Sequence, residues 1–354
     1  MSKIKVMVID DSALMRRIIN SLLAKEPDIE VVSSISNAVY ALNMIDRLKP
    51  DIITLDIEMP GMDGLTALTE IRKKDPHLAV IMCSSLTLNG AETTLEALNK
   101  GANDYVTKPS SCGAMNESFE QMGSELIYKI KGLARANGNT INAQSMKNPA
   151  PLFFTKRPEP IDIVVIGVST GGPNALTHFL SGIPASFPVP IVIVQHMPPV
   201  FTKILAENLS KKTLLPVREA EEGDVVVPGR ILLAPGNYHM TLASEGLRTV
   251  VRLNQEPQEN FCRPAVDVLF RSVVKIYKKN ILAVVMTGMG HDGMLGCQKI
   301  KEAGGLVFIQ DQESSVVWGM PGAVYKHNLM DAVYSLNDLD KAVVRCVTQK
   351  GHAS

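Results

Sequence analysis

Residues 161–176 read IDIVVIGVSTGGPNAL. From Ile163 to Val168 every position but one glycine is apolar, the pattern of a strand buried on both faces of a parallel sheet. Ser169, Thr170, Gly171 and Gly172 follow, then Pro173 and a stretch that predicts a helix over Asn174–Leu180. Proline suits a first helical turn, where its missing N–H is not needed. The segment is a strand, a tight glycine turn and a helix, the repeating unit of an α/β fold. Working outward, strands are expected at Ile191–Val194, Ile231–Ala234, Thr249–Leu253, Ile281–Met286 and Leu306–Gln310. Helices are expected at Phe201–Lys211, Ala265–Lys278 and Met294–Ala303. This alternation predicts a three-layer, mostly parallel α/β domain over 161–350.

The same alternation fills residues 1–125. Strands are expected at Lys5–Ile9, Ile29–Ser33, Ile52–Leu55, Ala79–Cys83 and Asp104–Val106, with helices such as Leu14–Ala24 and Leu65–Lys73. That is one doubly wound, five-stranded parallel domain. Residues 126–160 read as a linker, rich in Asn and Pro and without a sustained period. Phe153 and Phe154 are apolar exceptions within it, able to dock on a domain face or to act as a local anchor. Charge divides along the same lines: the first piece is net −6, the linker net +5 and the last piece net +1.

The whole chain of 354 residues has 36 basic and 36 acidic side chains and is 45% hydrophobic. That balance excludes a mostly disordered chain and a globally basic nucleic-acid binder. The apolar core of MSKIKVMVIDDS is too short for a signal peptide, and no apolar run approaches the ~20 residues of a membrane span. Five scattered cysteines (Cys83, Cys112, Cys262, Cys297, Cys346) with no CxxC make neither a disulfide framework nor a zinc site. A reducing cytoplasm is the expected compartment. A monomer is the default assembly.

Open α/β sheets carry their ligands at the carboxyl ends of the strands. Asp10 and Asp11 follow the first strand, Asp56 ends the third, Ser84 follows the fourth and Lys108 the fifth. Three gathered carboxylates repel one another without a cation, and Mg²⁺, a hard ion with oxygen ligands, suits them. One carboxylate can then attack phosphorus, with the lysine and hydroxyl holding the phosphoryl oxygens. Taken singly, these residues also suit helix caps and turns.

In the second domain, G167-V-S169-T-G171 at a strand-to-helix junction has the form of a nucleophile elbow. A glycine-rich turn of this kind also suits phosphate or a purely structural role. A nucleophilic serine needs a base and an acid to orient it. His196 ends the run IVIVQH, and Asp292 follows ILAVVM in TGMGHDG, both at strand carboxyl ends. His291 and His239 are rival bases and Asp311 is a rival acid, while Asp292 could instead cap the following helix. The order Ser, His, Asp differs from that of the α/β-hydrolases.

Residues 1–125 resemble a response-regulator receiver domain, through the Asp10–Asp11 pair, Asp56 before MPGMDG, Ser84, and Tyr105 three residues before Lys108–Pro109. The resemblance implies phosphorylation of Asp56 by the phosphohistidine of a sensor kinase, Mg²⁺ on Asp10, Asp11 and Asp56, and Ser84 and Tyr105 as switch residues. Residues 161–346 resemble the catalytic domain of the chemotaxis protein-glutamate methylesterases, through GVSTGGP, QHMP, APGNYHM, RPAVDVLF, MTGMGHDG and GMPGAV. This second resemblance implies a triad of Ser169, His196 and Asp292, with Thr170 and Met289 at positions associated with the oxyanion site and active-site shape.

Together the resemblances imply a phosphorylation-activated enzyme that removes methyl groups from glutamates of methyl-accepting chemoreceptors, releasing methanol. Deamidation of receptor glutamines is a further activity of the family. The ester chemistry would need no cofactor, and the partners would be receptors and a chemotaxis histidine kinase, with no nucleic acid and no membrane insertion. The receiver would cover the catalytic edge until phosphorylated. Two other classes compete: a phospho-switched binding protein, which needs no Ser, His and Asp at strand ends, and a transcriptional regulator, whose output domain would be short, helical and basic.

Overall fold

The computed structural model describes residues 3–109, 115–138 and 160–348. The chain forms two compact units, taken in turn.

The first unit contains β1 (Ile4–Ile9), α1 (Ala13–Leu23), β2 (Ile29–Ile35), α2 (Ala38–Leu48), β3 (Ile52–Asp56), α3 (Gly64–Lys74), β4 (Ala79–Ser85), α4 (Leu88–Asn99), β5 (Asp104–Lys108) and α5 (Met115–Gly138). The strands lie in the order β2-β1-β3-β4-β5, and every neighbouring pair is parallel. All five residues of β3 are buried, which explains their unbroken apolar run before Asp56. Ser12, Asn37, Asp63 and Thr87 cap α1 to α4 by accepting backbone N–H bonds from the first helical turn. Because β1 has β2 on one side and β3 on the other, the chain changes direction across it. The carboxyl ends of β1 and β3 therefore border the crevice where such sheets bind ligands.

Residues 126–138, expected as the start of a linker, are instead the second half of α5. Leu126, Ile130 and Leu133 are buried at helical spacing, and α5 packs on α1 and β5. The basic charge that made this stretch look different in kind is largely matched within the unit. Lys129 Nζ lies 3.1 Å from Asp104 and 2.8 Å from Glu125, and Lys131 Nζ lies 2.6 Å from Glu26 and 2.8 Å from Asp28. Phe153 and Phe154 lie outside the described residues, as does Cys112. Among the described residues the cysteines are free thiols.

The second unit contains β6 (Ile163–Val168), α6 (Gly172–Ser181), β7 (Ile191–Gln195), α7 (Phe201–Ser210), β8 (Val217–Glu219), β9 (Ile231–Leu233), β10 (His239–Glu245), β11 (Arg248–Asn254), α8 (Val266–Tyr277), β12 (Ile281–Val285), α9 (Met294–Glu302), β13 (Leu306–Gln310), α10 (Met320–Lys326), β14 (Ala332–Tyr334) and α11 (Leu336–Thr348). Seven strands form a parallel sheet in the order β14-β13-β12-β6-β7-β9-β8. Strands β10 and β11 form a separate antiparallel hairpin that packs on α8. Alternate sheet residues, including Ile163, Val165, Val192, Val194, Ala283 and Val285, share one core with Val266, Leu269 and Phe270 of α8. The strand order reverses between β6 and β12, which places the ligand crevice at their carboxyl ends. No helix among the described residues is long and apolar enough to cross a membrane.

The packing of α5 yields a prediction. Ile130 is fully buried, so Ile130→Ala is expected to lower the stability of the first unit by about 2–4 kcal/mol. Urea unfolding of the full chain measures this. An unchanged first transition would show that the second half of α5 contributes nothing to that core.

Candidate functional site

The carboxyl ends of β1, β3 and β5 bring Asp10, Asp11, Asp56 and Lys108 together. One oxygen of each of the three carboxylates lies within 4.8 Å of the others. Lys108 Nζ bridges two of them, at 2.9 Å from Asp10 Oδ2 and 2.7 Å from Asp56 Oδ1. The Ser12 N–H donates to Asp10 Oδ1 at 2.9 Å. Asp10 and Asp56 are buried and Asp11 is exposed. Burial pushes Asp56 up to about 6, against the lowering effect of Lys108. An all-oxygen donor set with one solvent-facing member fits Mg²⁺, which binds through one or two carboxylates and keeps several waters. A cavity of about 480 Å³ shares Asp11 with this cluster.

The two expected switch residues are engaged elsewhere. Ser84 is buried, donates to the Gly90 carbonyl at 3.0 Å and accepts from Thr94 Oγ1 at 2.6 Å. Its hydroxyl therefore ties β4 to α4 rather than to Asp56. Tyr105 is buried under Lys129, whose Nζ lies 4.9 Å from the ring centroid.

In the second unit the turn after β6 presents Ser169. Gly171 occupies the left-handed region at φ 76°, which L side chains adopt only with strain. A Cβ at Gly172 would collide with the Gln195 amide. Gln195 Nε2 donates to the Ser169 carbonyl at 3.0 Å and to the His196 carbonyl at 3.2 Å, tying the ends of β6 and β7. The Ser169 N–H donates to the Thr287 carbonyl at 3.0 Å. Thr287 Oγ1 donates to the Thr170 carbonyl at 2.9 Å, and the Thr287 N–H donates to Gln310 Oε1 at 2.8 Å. These bonds lock the ends of β6, β12 and β13 together.

His196 Nε2 lies 2.7 Å from Asp292 Oδ2. Asp292 is buried and accepts further bonds from the N–H groups of Val266 (2.6 Å), Asp267 (3.0 Å) and Gly293 (2.9 Å) and from Asn260 Nδ2 (2.9 Å). Burial raises the Asp292 pKa, but the His196 bond and charge and these donors outweigh it, so the carboxylate stays ionised below its usual range. Burial lowers the His196 pKa, but the bond to Asp292 and its charge hold it above the ordinary histidine value. Nε2 is committed to Asp292, and Cys262 also hydrogen-bonds the ring. Ser169 is partly exposed, and among the described residues its hydroxyl makes no hydrogen bond to the pair.

The rivals separate from this site. His239 is buried, with Nε2 on the Pro257 carbonyl at 3.0 Å and Nδ1 accepting the Ala265 N–H at 3.3 Å, a satisfied structural histidine. Asp311 accepts from the Ser314 N–H and hydroxyl in a local turn. His291 is exposed. Thr170 is buried behind the serine, and Met289 is 9% exposed in the loop leading to Asp292. A Cβ on Gly288 would fall 2.9 Å from Ser169 Cβ, so this loop packs directly on the serine.

Sequence reasoning missed Gln195, Asn260, Cys262, Asp267, Thr287 and Gln310. One signal was present: Asp267 interrupts the apolar face formed by Val266, Leu269, Phe270 and Val273, and it is itself fully buried. An acid in a first helical turn reads equally well as a dipole partner, which hides it.

The two sites define a class of protein: a receiver module joined to an α/β domain with a buried His–Asp pair at its switch point. Comparison with known proteins agrees with the pairing of these two folds. Residues 6–120 match the response regulator receiver domain, and residues 164–343 match the CheB methylesterase family. The chain is 48% identical to the protein-glutamate methylesterase/protein-glutamine glutaminase of Trichodesmium erythraeum, covering 98% of this chain and 99% of that one. It is 42% identical to protein-glutamate methylesterase/protein-glutamine glutaminase 1 of Paramagnetospirillum magneticum, covering 98% and 97%. The crystal structure of the Thermotoga maritima CheB methylesterase catalytic domain is 41% identical, with a TM-score of 0.52, and covers 53% of this chain and 99% of that one. The chain belongs to the CheB methylesterase family and carries a response-regulator receiver domain.

The raised pKa of Asp56 predicts a pH-dependent stability. A carboxyl held above its unfolded value stabilises the fold below that value and loses this contribution as pH rises through about 6. Asp56→Asn is therefore expected to stabilise the receiver near neutral pH by about 3 kcal/mol and to have little effect below about pH 3. Adding Mg²⁺ should shrink the gain. Equal stabilisation at both pH values, measured by urea unfolding, contradicts the buried-charge account.

Proposed function

We propose that the chain is a phosphorylation-activated hydrolase of glutamate γ-methyl esters on chemoreceptors, releasing methanol, and that it acts in chemotaxis adaptation. The observation that carries this reading is the 2.7 Å His196–Asp292 pair at the switch point that also presents Ser169. Ser169 Oγ attacks the γ-carbonyl as His196 takes its proton. The tetrahedral intermediate collapses as the imidazolium protonates the departing methoxide, which leaves as methanol. Water then attacks the acyl-serine with His196 again as base, and glutamate is released. On a glutamine side chain the same steps expel ammonia.

Asp292 holds the tautomer and stabilises the imidazolium that each step forms. Backbone N–H groups at Thr170 and Met289 are the oxyanion donors in this scheme, each worth ~3–4 kcal/mol. Support for them is positional: one follows the serine, and the other lies in the loop that Gly288 packs against it. That Ser169 makes no hydrogen bond to His196 agrees with a free enzyme, where catalytic hydrogen bonds are often loose and tighten on substrate binding. The ester chemistry then needs no metal or cofactor.

Control enters at Asp56, whose carboxylate takes the phosphoryl group from a histidine kinase. Asp10, Asp11 and Asp56 would hold Mg²⁺, which would supply charge neutralisation for that transfer. Lys108 already bridges Asp10 and Asp56 and is placed to hold a phosphoryl oxygen. Ser84 and Tyr105 report the change by leaving their present partners. In this reading the protein is a cytoplasmic monomer acting on membrane-bound receptors, without inserting into the membrane or binding nucleic acid.

Methanol release from methylated receptor membranes is expected to rise when Mg²⁺ and a small-molecule phosphodonor are added. Asp56→Asn should keep the basal rate and lose the rise, and equal rates for both proteins would contradict control through Asp56. Ser169→Ala should fold normally and release no methanol, and substantial turnover by that variant would move the nucleophile elsewhere. The raised His196 makes a further demand, because only the neutral imidazole accepts a proton. kcat/KM should therefore climb with pH along a limb lying above the ordinary histidine value of about 6.5. A limb at or below that value contradicts a base coupled to an ionised Asp292.

A further inference from the structure

Residues 259–262 form a two-residue hairpin turn beside the catalytic pair. The Glu259 N–H donates to the Cys262 carbonyl at 3.1 Å, and the Cys262 N–H donates back at 2.9 Å. Both central residues, Asn260 (φ 54°) and Phe261 (φ 62°), are left-handed, as a type I′ turn requires. Asparagine tolerates that backbone better than most side chains. The turn is pinned without help from the Asn260 side chain, because Arg271 of α8 grips Glu259 with two bonds of 2.6 Å. The Asn260 amide is left to point inward, where Nδ2 donates to Asp292 Oδ1 at 2.9 Å and to Asp267 Oδ2 at 3.1 Å. An amide nitrogen carries two hydrogens, and both are used.

Two buried carboxyl groups this close are a hazard for the mechanism. Asp267 could supply a proton to Asp292, or Asp292 could rotate and withdraw Oδ2 from His196. We propose that Asn260 is a positioning residue for the catalytic pair: its amide stands between the two carboxyl groups and fixes Asp292 with Oδ2 on His196. This rests on the reading in which His196 and Asp292 act on the ester. Burial and the Asp292 charge push Asp267 upward, which agrees with an acid kept apart from its neighbour. The charged and titratable groups around the carboxyl pair are His196 after β7, Glu259 and Cys262 from the turn, Arg271 from α8 and Cys297 from α9.

The test uses the full chain with phosphodonor and reads methanol release across pH for Asn260→Gly, Asn260→Asp and, in parallel, Asp292→Asn. Glycine accepts the left-handed backbone, so Asn260→Gly keeps the turn and removes only the amide. kcat is expected to fall about 10- to 100-fold, with KM within about twofold. The acid limb should move to lower pH, because His196 loses its fixed counter-charge. Asn260→Asp keeps the size, places a third carboxyl where the donor was, and should lose at least as much. Native kcat with a native limb in a folded variant overturns the proposal. A fall in kcat with the limb unmoved also overturns it, leaving a structural role only. If Asp292→Asn itself keeps native turnover, the reading of the pair as catalytic fails and the proposal falls with it. Loss in Asp292→Asn beside a native Asn260→Gly removes Asn260 alone.

Discussion

Asp292 carries a charge in a place with almost no water. An uncompensated buried carboxylate costs several kcal/mol, so the chain must surround it with donors. It does so from four directions: the N-terminus of α8 supplies the N–H groups of Val266 and Asp267, the turn at 259–262 supplies Asn260, Gly293 begins the next helix, and β7 supplies His196. Each donor fixes one loop at the carboxyl edge of the sheet. The geometry of the His196–Asp292 pair is thus a by-product of solvating one charge. Because the donors favour the ionised form, Asp292 can stabilise an imidazolium without taking its proton.

The first unit solves a similar problem differently. Asp56 is also buried at a strand end on a switch point, but its partners are mainly one ammonium and a distant N–H, at 2.7 and 3.4 Å. Desolvation then wins and the carboxyl rises to about 6. A carboxylate meant to orient a histidine is best saturated with hydrogen bonds. One placed to attack phosphorus must keep a lone pair available. The contrast between five donors and two separates the two tasks.

Much of this was legible in the sequence because parallel strands buried on both faces leave apolar runs, and the residue after each run sits at the ligand edge. Asp10, Asp56, Ser169, His196 and Asp292 could all be read in that way. The three-residue strands β8 and β14 were too short to leave a run. The second half of α5 was hidden by its basic charge, although Leu126, Ile130 and Leu133 already stood at helical spacing. Asn260 left no trace: it meets Asp292 across 32 residues, from a turn with no periodicity. Long-range polar contacts of this kind follow from tertiary closure, and pattern alone does not show them.

The central claim is that a covalent acyl-serine forms at the switch point with the aid of the His196–Asp292 pair. Rapid acid quenching of the phosphorylated enzyme with methylated receptor, followed by peptide mass spectrometry, tests it most directly. The account predicts a transient receptor glutamyl adduct on the peptide containing Ser169, formed no later than methanol. An adduct on Cys262, or turnover with no adduct on Ser169 at any quench time, would contradict it.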